Sequence, residues 1–265
     1  MSGPAIELSG VGKTFAQRRN SRNVVLIDVN LTIEQGEFVS LVGASGCGKT
    51  TLLRMMAGLA PYENGEIRVH GKAVRGVPPR IGFVFQDSAL LPWKTLRENV
   101  AIGLNEIRGS LSKAQAERMV DERLELVGLH AYADFLPRQL SGGMQQRAGL
   151  ARALVAEPDV LLMDEPFGAL DAFTRMRLQD ELAAIVARTS ATTVFVTHDV
   201  DEAVFLSDRI AVLSTSPGTV KEVVTVDIER PRLSRAELLG NTRAAALRDH
   251  VLSLVIGNRQ REEVH

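Results

Sequence analysis

The sequence predicts an α/β fold, a mainly parallel sheet interrupted by an inserted helical segment. Three observations lead there. Short apolar runs such as residues 37–42 (EFVSLV) and 160–163 (VLLM) have the texture of strands buried on both faces. In the second half of the chain such runs alternate with stretches of helical spacing, and strands alternating with helices imply a parallel sheet. From about residue 87 to residue 157 strand-like runs become scarce and helical spacing takes over.

Taken in order, residues 5–8 read as a short strand of mixed character. Val29, Leu31 and Ile33 alternate with polar residues, as in a half-buried strand. Residues 37–42 run into a Gly-rich turn and then a helix over 50–58. Residues 66–74 read as a hairpin turning at His70-Gly71, and 81–85 as another short buried strand. Within the insertion, helical spacing covers 95–104, 112–127 and 142–156, with Leu124, Val127 and Leu129 supplying part of an apolar face. The α/β rhythm then returns: strands over 160–163, 193–197 and 209–213, helices over 172–188 and 200–206. Pro217-Gly218 makes a turn, 220–226 alternates like a late edge strand, and 233–256 reads as a helical tail. No internal repeat or low-complexity segment interrupts this plan.

Composition narrows the function class. The chain has 265 residues, enough for one large α/β domain with an insertion. Lys and Arg number 31 against 32 Asp and Glu, so there is no basic excess of the kind general nucleic-acid binding requires. With one cysteine, Cys47, no intramolecular disulfide can form, which fits a reducing compartment. The N-terminus lacks the basic stretch and apolar run of a signal peptide. No apolar run approaches the ~18 residues of a membrane helix, so action at a membrane is expected to go through a partner.

Residues Gly43-Ala44-Ser45-Gly46-Cys47-Gly48-Lys49-Thr50 form G-x-x-x-x-G-K-T, a phosphate loop set between a buried strand and a helix. Its glycines let the backbone curl so that N–H groups face phosphates, and the helix adds the positive end of its dipole. Lys49 is expected to reach the β- and γ-phosphates of a nucleotide and Thr50 to coordinate Mg²⁺, with Thr51 completing the nucleotide-binding stretch. Alone, the loop says only nucleotide triphosphatase. The strand over 160–163 ends in Asp164-Glu165. An acid at such a strand end holds Mg²⁺ in P-loop enzymes, a role that suits Asp164, and Glu165 is placed to polarise the attacking water as general base. Cys47 lies in the loop near a helix N-terminus, a setting expected to lower its thiol pKa and make it reactive.

The stretch Leu140-Ser141-Gly142-Gly143-Met144-Gln145-Gln146-Arg147 is the most specific. Ser-Gly-Gly at a helix start is an anion site, with exposed N–H groups, a dipole and a hydroxyl; the bland alternative is a capped helix with a Gly-rich entry. Here the sequence resembles the ABC ATPase family, whose signature is LSGGQ. Met144 stands where that family usually has Gln, keeping the volume but removing an amide. The resemblance covers nearly the whole chain. It implies that Phe15 stacks on adenine and that Gln86 is the Q-loop glutamine, at the Mg²⁺ with Thr50 and Asp164. It also implies that Gly168-Ala169-Leu170-Asp171 is the D-loop, with Asp171 coupling two sites, and that His198 is the switch histidine near the γ-phosphate.

The resemblance further implies a P-loop NTPase (RecA-like) core with an N-terminal antiparallel β subdomain and an inserted α-helical subdomain. The expected division is 1–86 for the β subdomain and phosphate-loop part, 87–157 for the helical subdomain, 158–232 for the rest of the core and 233–265 for the tail. Two copies would sandwich ATP head to tail, each presenting Ser141, Gly142, Gly143 and Met144 to the other's phosphate loop. Expected partners are a second ATPase subunit, transmembrane permease subunits and, indirectly, a solute-binding protein, at the cytoplasmic face of the inner membrane; no nucleic acid is expected.

The stretch Gln86-Asp87-Ser88-Ala89-Leu90-Leu91-Pro92-Trp93, the run from Asp164 to Arg175 and the ending Leu213-Ser214-Thr215-Ser216-Pro217-Gly218 resemble the nitrate/sulfonate/taurine importer subfamily. A pyrimidine-type vitamin precursor importer, a non-transport ABC ATPase and an ATP-binding regulatory subunit are the alternatives. Leu90, Leu91 and Trp93 either line a groove for the permease or fill the insertion's own core.

Overall fold

The computed structural model describes residues 3–16, 22–105, 107–168, 170–189, 191–215, 217–228 and 240–262. In chain order the elements are β1 (Ile6–Ala16), β2 (Arg22–Ile33), β3 (Phe38–Val42), α1 (Lys49–Met56), β4 (Asn64–Val69), β5 (Lys72–Ala73) and β6 (Ile81–Val84). There follow α2 (Leu96–Ala101), α3 (Lys113–Leu126), α4 (Gly142–Leu154), β7 (Val160–Asp164), α5 (Ala172–Thr189) and β8 (Thr192–Val196). The chain then forms α6 (Val200–Leu206), β9 (Arg209–Leu213), β10 (Val220–Thr225) and α7 (Thr242–Glu262). It divides into two compact units, one of Met1–Pro78 with Val194–His265, the other of Pro79–Thr193. The fold is mixed α/β, as the sequence predicts.

The first unit holds a four-stranded antiparallel sheet in the order β2-β1-β4-β5. Its first two strands are longer than expected, because β1 carries register shifts between Leu8 and Val11, Val11 and Lys13, and Lys13 and Thr14. Each irregularity breaks the two-residue alternation by which a strand is read from sequence. Gly10 takes φ 61° there, and Gly65 of β4, at φ 75°, approaches so closely that a Cβ would lie 2.3 Å from the Ser9 and Gly10 carbonyl oxygens. The expected hairpin at His70-Gly71 is present, both residues at positive φ between β4 and β5.

The parallel part of the first unit pairs β3 with β9, Val39 opposite Arg209 through Val42 opposite Val212, and β10 runs antiparallel on the far side of β9. Val42, Ile210 and Val212 form one core with Val200, Ala203 and Val204 of α6 and Ala244 and Val251 of α7. Each buried Val or Ile side chain of this core contributes roughly 1.5–3 kcal/mol. The helical tail is thus held by the sheet it covers. It begins at Thr242, and residues 233–239 of the expected tail lie outside the described residues.

In the second unit β6 and β7 are parallel, Ile81 opposite Val160 and Val84 opposite Met163. The helices α2 and α3 open on reciprocal capping boxes, Thr95 with Glu98 and Ser112 with Gln115. The helix expected to reach Leu104 ends at Ala101 and tightens into a 3-10 turn over Ile102–Leu104. At Gly103 a Cβ would lie 2.1 Å from the Arg152 carbonyl oxygen, so α4 passes against bare backbone there. Among the described residues no helix is long and apolar enough to cross a membrane.

Candidate functional site

The phosphate loop lies at the end of β3, whose five residues are all buried. Ser45 and Gly46 are its exposed crest, while Gly43, Cys47, Gly48 and Lys49 are buried and Ala44 is half-buried. Gly46 and Gly48 take φ 81° and 98°, the left-handed conformation that glycine adopts without steric cost. A Cβ at Gly46 would meet nothing within 4 Å, so conformation rather than space demands glycine there, and the crest faces open space. The helix α1 opens at Lys49 with no side-chain cap and no acid in its first turn. Its N–H donors and positive dipole end are thus left for an anion. Lys49 is 5% exposed, and its Nζ donates to the carbonyls of Gly43 (2.9 Å) and Ala44 (3.0 Å) rather than to a carboxylate. Backbone N–H groups and an ammonium fit a polyphosphate. Thr50 and Thr51 follow, both half-buried.

Cys47 corrects the expectation of a reactive thiol. Lys49 Nζ lies 3.9 Å from its Sγ and favours the thiolate, but burial dominates and pushes the thiol above its ordinary value of 9.0. The loop folds this side chain inward beneath Gly43.

Two further residues of the first unit complete this half. Phe15, on β1, is 45% exposed and is not packed as core. Lys13 Nζ sits 5.1 Å from its centroid, and Glu63 holds that ammonium at 3.1 Å. Lys13 first, then the Thr14 N–H, hold the Glu63 carboxyl below its usual range. His198 is exposed just beyond β8, and Thr197 N donates to Leu41 O (3.2 Å). His198 and the phosphate loop therefore leave the sheet at neighbouring strand ends. Around His198, Thr197 Oγ1 donates to buried Glu202 (2.5 Å) and accepts from Asp199 N (3.0 Å). Asp199 in turn caps α6.

The second unit carries the other expected residues. Val84 pairs with Met163, so Gln86 and Asp164-Glu165 emerge at the same end of two adjacent strands. Gln86 is exposed, Asp164 is 1% exposed and Glu165 is half-buried. Glu165 takes φ 42°, a left-handed conformation uncommon for a residue with a side chain, and Gly168 N closes a turn onto its carbonyl (3.1 Å). Hydroxyl, amide and carboxylate oxygens, offered by Thr50, Gln86 and Asp164, are the hard donors Mg²⁺ prefers. Ser141 is the N-cap of α4, its hydroxyl accepting from Met144 N (3.3 Å). Gly142 is exposed. Gly143 is buried, and a Cβ there would lie 2.9 Å from Thr174 Cγ2. Met144 is half-buried and offers its backbone N–H to that cap. Asp171 is exposed and accepts from Thr174 N (3.0 Å) at the start of α5, which lowers its pKa; Ala169 lies outside the described residues.

Sequence reading missed the residues that tie α4 to the segment after β6. Gln146 Nε2 donates to Phe85 O (3.3 Å), and Arg152 reaches Ala89 O (2.7 Å) and Ser88 O (2.9 Å). Burial lowers the Arg152 pKa. The available signal was the polar run Gln145-Gln146-Arg147 on a helix that otherwise buries small and apolar residues. Trp93 is 72% exposed and does not fill the insertion's core, whereas Leu90 and Leu91 are half-buried.

Comparison with known proteins identifies the family. The family described as ABC transporter matches residues 26–168. A nitrate import ATP-binding protein of Synechocystis sp. is 42% identical over 262 residues, which is 98% of this chain and 39% of that protein, so the chain spans well under half of that relative. An aliphatic sulfonates import ATP-binding protein of Bacillus licheniformis is 45% identical over 225 residues, 85% of this chain and 86% of that protein. A dimeric ATP-binding cassette solved in a post-hydrolysis state with ADP and Pi superposes with a TM-score of 0.74 at 33% identity, covering 83% of this chain and 98% of that one. With the phosphate loop, the Ser-Gly-Gly cap and a family match over more than half its length, the chain belongs to the ABC transporter family.

Proposed function

We propose that this chain is the ATP-binding and ATP-hydrolysing subunit of an importer that takes up a small solute of the nitrate, alkanesulfonate or taurine kind. The observation that carries the reading is the phosphate loop, where left-handed glycines, an uncapped first helical turn and Lys49 converge. Lys49 and the loop N–H groups bind the β- and γ-phosphates, and Phe15 supports the adenine. Glu165 accepts the proton of the water that attacks the γ-phosphorus, as the bond to the bridging oxygen breaks and ADP leaves. His198 and Gln86 orient the γ-phosphate and the water. Thr50, Asp164 and Gln86 would hold Mg²⁺, which neutralises phosphate charge when bound. Ser141 and the Gly142-Gly143 turn of a second copy supply donors in trans, and Asp171 couples the two copies. The names of two relatives, import ATP-binding proteins for nitrate and for aliphatic sulfonates, support importer function. In this proposal the chain works at the cytoplasmic face of a membrane with permease subunits, and a solute-binding protein delivers the cargo.

Turnover and ATP binding by the purified chain test the chemistry. Lys49→Ala is expected to weaken ATP binding at least about tenfold, and Glu165→Gln to keep binding while losing about 10²–10⁴ of turnover. Undiminished hydrolysis by Glu165→Gln would remove Glu165 from its role. For the cargo, a strain lacking the gene should fail on taurine as sole sulfur source but grow on sulfate. Normal growth on taurine, with nitrate uptake lost, would move the solute to nitrate.

A further inference from the structure

The phosphate loop packs tightly against residues outside its own motif. A Cβ at Gly43 would lie 2.9 Å from the Leu213 carbonyl oxygen, and one at Gly48 2.6 Å from Leu26 Cδ2. The tightest approach comes from the turn after β9. A Cβ at Gly218 would lie 2.1 Å from the Cys47 carbonyl oxygen, far inside any real contact distance, and 3.0 Å from Leu26 Cδ2.

That turn is closed on itself and clamped to β2. Ser214 N donates to Thr219 O (2.9 Å), Thr219 N donates to Ser214 Oγ (2.9 Å), and Ser214 Oγ donates to Pro217 O (3.0 Å). Gly218 N donates to Val25 O (2.8 Å), and Ile27 N donates to Gly218 O (3.0 Å). Both polar groups of Gly218 are thus fixed on β2 while its bare Cα faces the loop. It cannot retreat without breaking two hydrogen bonds.

We infer that Gly218 and the turn it ends are positioning elements for nucleotide binding, bracing the phosphate loop at Cys47. The inference rests on the nucleotide-binding function proposed above. Its physical core is peptide planarity: the Cys47 carbonyl and the Gly48 N–H belong to one rigid unit. A side chain at 218 that displaces the carbonyl also turns the Gly48 N–H, a donor beside the lysine. Ser214 sets the turn through its hydroxyl, so removing that hydroxyl loosens the brace without filling space.

The test is ATP affinity of the full chain by calorimetry, alongside thermal melting without nucleotide, for wild type, Gly218→Ala, Ser214→Ala and Ser214→Thr. Gly218→Ala is expected to lose at least about tenfold in ATP affinity and Ser214→Ala about threefold, in protein still folded at the assay temperature. Ser214→Thr, which keeps the hydroxyl, should restore most of the affinity. A wild type that binds ATP together with a folded Gly218→Ala that binds within twofold of it overturns the inference and leaves the function standing. If Gly218→Ala fails to fold, unchanged affinity in Ser214→Ala overturns it. A wild type that binds no ATP overturns the function and the inference with it.

Discussion

Cys47 shows how a residue's setting can defeat its sequence context. A cysteine one residue from a phosphate-loop Gly-Lys pair, at a helix N-terminus, has the electropositive neighbours that favour a thiolate. Those neighbours are present, yet the side chain is 1% exposed, and burial outweighs the Lys49 ammonium. Native protein at neutral pH should therefore react with a thiol reagent at least about tenfold more slowly than urea-unfolded protein. Equal rates would mean that the loop opens freely. Because the folded thiol holds its proton to higher pH than the unfolded one, its contribution to stability is intact below 9.0 and is lost as pH rises through the raised native value. A urea titration of wild type against Cys47→Ser across that range checks the sign.

Among elements, α2 depends on one side chain that no motif announces. Asn99 is fully buried, its Oδ1 accepting from Leu91 N (2.7 Å) and its Nδ2 donating to the carbonyls of Leu91, Lys94 and Thr95. It staples the loop carrying Trp93 onto the first turns of the helix. Removing it takes the acceptor from the half-buried Leu91 N–H and the amide donor from the Lys94 carbonyl, so Asn99→Ala should destabilise the chain by about 1–3 kcal/mol, measured by urea unfolding. A loss below about 0.5 kcal/mol would mean that water replaces the amide without cost. The signature helix α4 has a comparable role through Gln146 and Arg152, which hold the carbonyls of Phe85, Ser88 and Ala89 on either side of Gln86.

For the whole molecule, the proposed trans role of Ser141, Gly142 and Gly143 predicts ATP-dependent self-association, and Ser141, Gly142 and Asp171 are exposed. Glu165→Gln with ATP should sediment as a dimer, and with ADP as a monomer. A monomer under both conditions would remove the trans role of Ser141 and Gly143. The solved cassette dimer that this chain resembles supports the arrangement, at 33% identity over 83% of the chain.

The α/β class, the order of the motifs and the chemistry each offers could be read from the residues alone. Those depend on local facts: apolar runs, glycines that permit left-handed backbone, and a Ser-Gly-Gly helix start. Most strand and helix positions between residues 37 and 226 were legible for the same reason. Residues 9–16 and 22–28 were not, because bulges in β1 destroy the alternation that marks a strand. Folding in three dimensions sets which groups meet and which are covered: the burial that raises the Cys47 pKa, the exposure of Phe15 and Trp93, and the close approach of Gly218 to Cys47. Burial and close approach join residues far apart in the chain, and no pattern confined to neighbouring residues encodes such a distance.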